Sequence, residues 1–325
     1  MKEPPPDLRL PALALCAWAS AIATNLVKPE ARTLVLVLEA ALSLILIRRS
    51  PAGSVRRTTA AVAVLWIVVS IGVTLRGAIV HDSWVSVMAK ERASAQLTVE
   101  IRGDPKVQPG MDEDRAIVRA TVLTIEARAK HSSAHVPATL ILKEPQAKGL
   151  RVGAHYALNA RLAPSPYQDT AATVIVSGSL KRIRDPSWVA RISGHVRDAI
   201  QRASAGQTRA AGLVPALVDG DERALPAGVK DDFQASGLSH LLAVSGTNFV
   251  LLGSAWLGFA RLCGVRGRAL IPIGLVGIVA LVLLARAEPS VVRAAVMGGV
   301  ALIGLGTGQR GQGVRALSAC ICMVM

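Results

Sequence analysis

Between Ser236 and Asn248 the chain reads SGLSHLLAVSGTN, which sets Ser236, Ser239, His240, Ser245, Thr247 and Asn248 in otherwise apolar surroundings. Polar side chains in hydrocarbon cost free energy unless they are paired or face water. At about 100° per residue, Ser236, His240, Thr247 and Ser254 share one helix face, Ser245 points nearly the opposite way and Asn248 lies between. One straight helix cannot gather them, whereas a break at Ser245-Gly246 can, and broken helices are tolerated where they line a cavity. The chemistry this suggests is a polar, water-lined path. Two other readings stand beside it. Ser, Thr and Asn also serve as hydrogen-bonding glue between helices. A Ser/His pair also suggests an intramembrane hydrolase, but Ala243-Val-Ser245-Gly246 lacks the first glycine of G-x-S-x-G. His240 and Ser245, five residues apart, are also not juxtaposed on a regular helix. No catalytic residue is assigned.

The elements that would position this run follow from composition. The 325 residues are 51% hydrophobic and 18% charged, with a net charge of +15, so charge must be concentrated in particular segments. That surplus suits anionic partners, either lipid headgroups or nucleic acid. Residues 10–27, 33–47 and 60–80 are apolar runs of near-spanning length. Arg48, Arg49, Arg56 and Arg57 mark the second connection as cytoplasmic, which places the amino terminus there too. From 90 to 185 the pattern changes to alternating stretches at 96–102, 116–128, 136–143, 152–162 and 171–178, separated by turn-rich breaks. Five such strands predict a small OB-like barrel, placed outside the membrane by the loop charges. Residues 187–209 have helical spacing, with Val189, Ile192, Val196 and Ile200 on one face and basic flanks, as in an interfacial amphipathic helix. Apolar runs resume at 238–260, 270–285 and 291–307.

The expected fold class is an α-helical polytopic membrane protein with an inserted small all-β, OB-like extracytoplasmic domain. Its expected divisions are about three transmembrane helices in 1–80, the barrel in 81–185, an amphipathic helix and linker in 186–236, and a membrane channel segment in 237–325 that stops within a span. The expected location is the bacterial cytoplasmic membrane, multi-pass. The four cysteines lie in or beside apolar runs and show no zinc-ligand spacing. No metal or cofactor is expected.

Three ordered motifs resemble the ComEC-type competence DNA channel family: LVPALVDGDERALP (213–226), DDFQASGLSHLLAVSGTN (231–248) and EPSVVRAAVMGGVAL (288–302). Amino-terminal spans followed by an external OB-like barrel also resemble that family's layout. The resemblance implies a channel that carries single-stranded DNA across the cytoplasmic membrane in natural transformation. Asp221, His240, Ser245, Gly246, Asn248 and Arg293 would then lie in or near the conduit. It implies single-stranded DNA and the lipid bilayer as partners, together with a DNA receptor, a cytoplasmic translocation motor and a homo-oligomeric state. Many members resemble each other in a carboxy-terminal metallo-β-lactamase-like domain, but the six histidines here form no H-x-H-x-D-H cluster, so no nuclease is expected. Thr247-Asn248 stands where many members have a hydrophobe and His. A truncated remnant of the channel is the remaining alternative.

For DNA, a basic groove with aromatic stacking is the expected device. The barrel region offers Lys143, Lys148, Arg151 and Arg161, with Lys181, Arg182 and Arg184 beyond, but only Tyr156 and Tyr167 as aromatics. Binding should therefore be mostly electrostatic and salt-dependent. Arg293, one turn past Pro289, could meet phosphate, pair with Glu288 or snorkel.

Overall fold

The computed structural model describes residues 18–20, 22, 24, 26–27, 31–49, 54–108, 114–128, 130–167, 169–205, 212–221, 225–238, 246–286 and 289–306. The chain divides into two compact units, one made of 1–78, 256–276 and 293–325, the other of 79–255 and 277–292.

The second unit is built around a β-barrel. Its strands are β1 (Ser94–Ile101), β2 (Lys106–Gln108), β3 (Arg115–Ala127), β4 (Lys130–Lys143), β5 (His155–Ala163) and β6 (Ala172–Arg184). The sheet order is β1-β5-β6-β4-β3-β2, and an additional β1–β3 pairing closes five strands into a ring, with β2 appended to β3. All pairings are antiparallel except β4–β6. This is a five-stranded Greek-key closure of the OB type. Alternation creates it: along β3 the inward positions Ala116, Val118, Ala120 and Val122 are buried while Arg115 and Arg119 are exposed. Leu97, Val99, Ile101, Leu140, Leu162 and Val174 complete the interior. A short helix, α3 (Trp84–Lys90), adds Val85, Met88 and Ala89 to that core, and its first turn is capped by the Ser83 hydroxyl, which accepts from the Ser86 amide at 3.2 Å. After β4 comes the single turn α4 (Glu144–Ala147). After β6 come α5 (Trp188–Ser204), α6 (Leu213–Asp219) and α7 (Ala227–Ala235).

The first unit is helical. Helix α1 covers Arg32–Arg49 and α2 covers Ser54–His81, although α2 ends inside the second unit. The Ser70 hydroxyl in α2 lies 2.8 Å from that of Ser20 and 3.1 Å from that of Thr24, a buried hydroxyl cluster. Three more helices follow, each divided between the two units: α8 (Gly246–Leu262), α9 (Leu270–Leu284) and α10 (Pro289–Gly306). Trp256 donates its indole N–H to the Ile273 carbonyl at 3.0 Å.

The expectation of a polytopic helical membrane protein is corrected here: among the described residues, no helix is long and apolar enough to cross a membrane. The apolar runs are cut into pieces. Helices α8 and α9 have 17 and 15 residues, which at ~1.5 Å per residue fall short of a ~30 Å hydrocarbon core. Helix α1 carries Glu39 at mid-length and arginines at both ends, α2 carries Arg56, Arg57 and Arg76, and α10 carries Arg293. The multi-pass topology, and the extracytoplasmic placing of the barrel derived from it, lose their basis accordingly.

Candidate nucleic-acid interface and the arginine behind it

The outer faces of β2, β3 and β4 form a basic ribbon. In register, Lys106 lies opposite Ile117, Gln108 opposite Arg115, Arg115 opposite Lys143 and Arg119 opposite Thr139. Lys106, Arg115, Arg119 and Lys143 are all exposed. Arg115 and Lys143 therefore stand directly opposite each other across the β3–β4 pair.

Beside the ribbon is a groove of about 1020 Å³, lined by Lys106, Lys148, Arg151, Arg191 and His195, and also by Asp114, Asp198 and Asp231. Its walls are of mixed sign. Lys148 is paired with Glu144 at 2.9 Å. Tyr156 supports this rim from within: it is 5% exposed, its hydroxyl accepts the Arg151 amide at 3.0 Å and donates to the Gly149 carbonyl at 3.4 Å. Its ring therefore has no face open for stacking on a base. Tyr167, 58% exposed, does.

Behind the groove is a buried ionic cluster. Arg197 on α5 is 1% exposed. Its Nη1 donates to the Asp219 carbonyl at 2.7 Å and to the Leu284 carbonyl at 3.0 Å, and its Nη2 donates to Asp104 Oδ2 at 2.8 Å. The carboxylates of Asp219 and Asp221 each approach to 3.7 Å. Arg286 pairs with the other oxygen of Asp104. Gln201 donates to Asp221 Oδ2 at 2.9 Å, and the Asp221 amide donates to Asp219 Oδ1 at 3.1 Å. Gly220 makes this turn possible, capping α6 in the left-handed region at φ 73°. Three carboxylates thus meet two guanidinium groups. Burial raises the Asp219 pKa, Arg197 opposes the rise, the neighbouring charges of Asp221 and Asp104 add to it, and the Asp221 amide opposes it.

The residues singled out in the sequence fall in different places. Asp221 is fully buried in the arginine cluster and borders no open path. His240 and Ser245 lie outside the described residues. Gly246 and Asn248 are in the first turn of α8, which begins at Gly246. Arg293 is exposed on α10. Lys148 and Arg151 line the groove and Lys143 joins the ribbon, whereas exposed Arg161 sits on β5, opposite Ser94 and Ile175. Lys106, Arg115 and Arg119 were not singled out in the sequence, and Arg191 and Arg197 stood there only as basic flanks of the amphipathic helix. Cross-strand register reveals the ribbon, and nothing local in the sequence reveals Arg197. Among the described residues, no group of His, Cys, Asp and Glu could hold a metal ion.

Residues 217–325 match the family model described as "Competence protein". The match covers the carboxy-terminal third of the chain, agrees with the family its motifs resemble, and includes Asp219 and Asp221 but not Arg197 or Asp104. No curated protein and no solved structure matches the chain.

Proposed function

We propose that this chain acts in DNA uptake during competence by holding a single DNA strand on the β2–β3–β4 ribbon and passing it to the competence segment. The family match supports the process, and the alignment of exposed Lys106, Arg115, Arg119 and Lys143 on one face of three neighbouring strands carries the site. Arg115 and Lys143 are exposed opposite each other, and both can donate charge-assisted hydrogen bonds to a phosphate. Lys106 and Arg119 extend the track to four cations. Among the described residues of the barrel strands and their connections, Tyr167 is the exposed aromatic, so contacts there are mainly to phosphates and independent of sequence. Weak, salt-sensitive holding suits a strand that must move on.

Titration of the full chain with a fluorescent oligothymidine tests this. Four phosphate contacts predict a log–log salt slope near −2.8, about a 50-fold loss of affinity between 50 and 200 mM salt. R115E/K143E should halve that slope. An unchanged slope and affinity in the double variant would remove the ribbon from the mechanism.

A further inference from the structure

Helix α5 is inside out. Its most buried side chain is Arg197, at 1% exposure, while Trp188, Ile192 and Val196 stand 67%, 54% and 43% exposed. Those three recur every fourth residue and fall within an arc of roughly 80°, on the side of the helix away from Arg197. An ordinary surface helix turns such a stripe toward the core. Here the cluster of Asp104, Asp219 and Asp221 fixes the opposite face inward, so the apolar stripe is left outside. Val189 and Ile200, which sequence spacing places with it, are half-buried at its edge.

The charge beside the stripe identifies what covers it. Exposed Arg191 and Arg202 run along one edge, with His195 between them, and exposed Lys181, Arg182 and Arg184 precede the helix. Two acidic residues oppose these: Asp185, which pairs with Arg182 at 3.3 Å, and Asp198. An aromatic at the end of an apolar stripe with arginines on its flank is the pattern of a helix lying in a headgroup layer. Trp favours the interface and long basic chains reach out to anionic headgroups. We infer that the Trp188–Ile192–Val196 face of α5 docks flat on an anionic lipid surface. The groove borders this face through Arg191 and His195, so docking would hold the groove beside the bilayer.

The test places an environment-sensitive dye at I192C in the full chain with Cys16, Cys263, Cys320 and Cys322 replaced by Ser. A second dye position, Q96C on exposed β1, serves as control. Vesicles of phosphatidylcholine with and without phosphatidylglycerol are added. The expected result is a blue shift at 192 with the anionic vesicles, quenching there by headgroup-level nitroxide lipid, and no change at 96. R191E/R202E should weaken partitioning roughly 30-fold or more, since each basic residue near such a surface contributes about fivefold to binding. No response at 192 overturns the inference, as does an equal response with pure phosphatidylcholine. Shielding of 192 from iodide before any lipid is added, varying with protein concentration, would show instead that another copy covers the stripe.

Discussion

Replacing Arg197 by Met tests whether the buried cluster anchors the second unit. Met keeps most of the side-chain volume and removes the charge, so packing and electrostatics are separated. The substitution takes the Arg197 guanidinium away from Asp219 and Asp221, both essentially inaccessible, and from the carbonyls of Asp219 and Leu284. Breaking a buried pair by removing one partner costs ~3–5 kcal/mol. Asp104 adds little to that figure, because it is 20% exposed and retains Arg286. For a unit of this size, each kcal/mol lowers Tm by roughly 2–4 °C, so the expected fall is about 6–20 °C. Thermal unfolding of the full chain, followed by circular dichroism in the β-sheet region, reads it. The triple variant R197M/D219N/D221N removes the stranded charges as well and should recover much of the loss. A fall under 2 °C for R197M would show that the carboxylates are satisfied without the guanidinium, and the anchoring argument would fail.

Asp219 gives a pH signature. Its folded pKa is raised, mainly by burial, so its contribution to stability is fully present below the usual aspartate pKa of about 4 and is lost as pH rises through the folded value. Urea unfolding from pH 4 to 7 should therefore show D219N gaining on the natural chain as pH rises; a constant difference would contradict the raised pKa. Gly153 sits at φ +81°, and a Cβ there would lie 3.0 Å from Ala190 Cβ on α5. G153A should cost ~1–3 kcal/mol by thermal melt, since both the backbone region and the contact disfavour a side chain. Indifference at this position would mean that α5 is not seated against the 149–154 turn.

The barrel was legible in the sequence because alternation is local. Along β3 the inward Ala116, Val118, Ala120 and Val122 alternate with outward positions that include Arg115, Arg119 and Thr121, and five strands emerge from pattern alone. What alternation cannot reveal is β2, three residues with every side chain exposed, or the far end of β6, where Lys181, Arg182 and Arg184 continue the pairing beyond the core. The helices misled for the opposite reason: apolar composition shows where lipid or core is tolerated but not where a helix stops, and the charges at Glu39, Arg76 and Arg293 were read as tolerable inside spans. The cluster was the least legible feature. Arg197 follows Val196 on an amphipathic helix and looks like one more basic flank. Its partners are 93, 22 and 24 positions away at Asp104, Asp219 and Asp221, so only the fold brings them together. The family motif around Asp219-Gly220-Asp221 pointed to a conduit, whereas its geometry makes it a receptor for a guanidinium. That receptor sets the roll of α5, and the roll decides that Trp188, Ile192 and Val196 face outward. A two-aspartate turn in the competence segment thus determines what an upstream helix presents. Disrupting the turn should therefore alter the outer face of α5 before it alters the barrel.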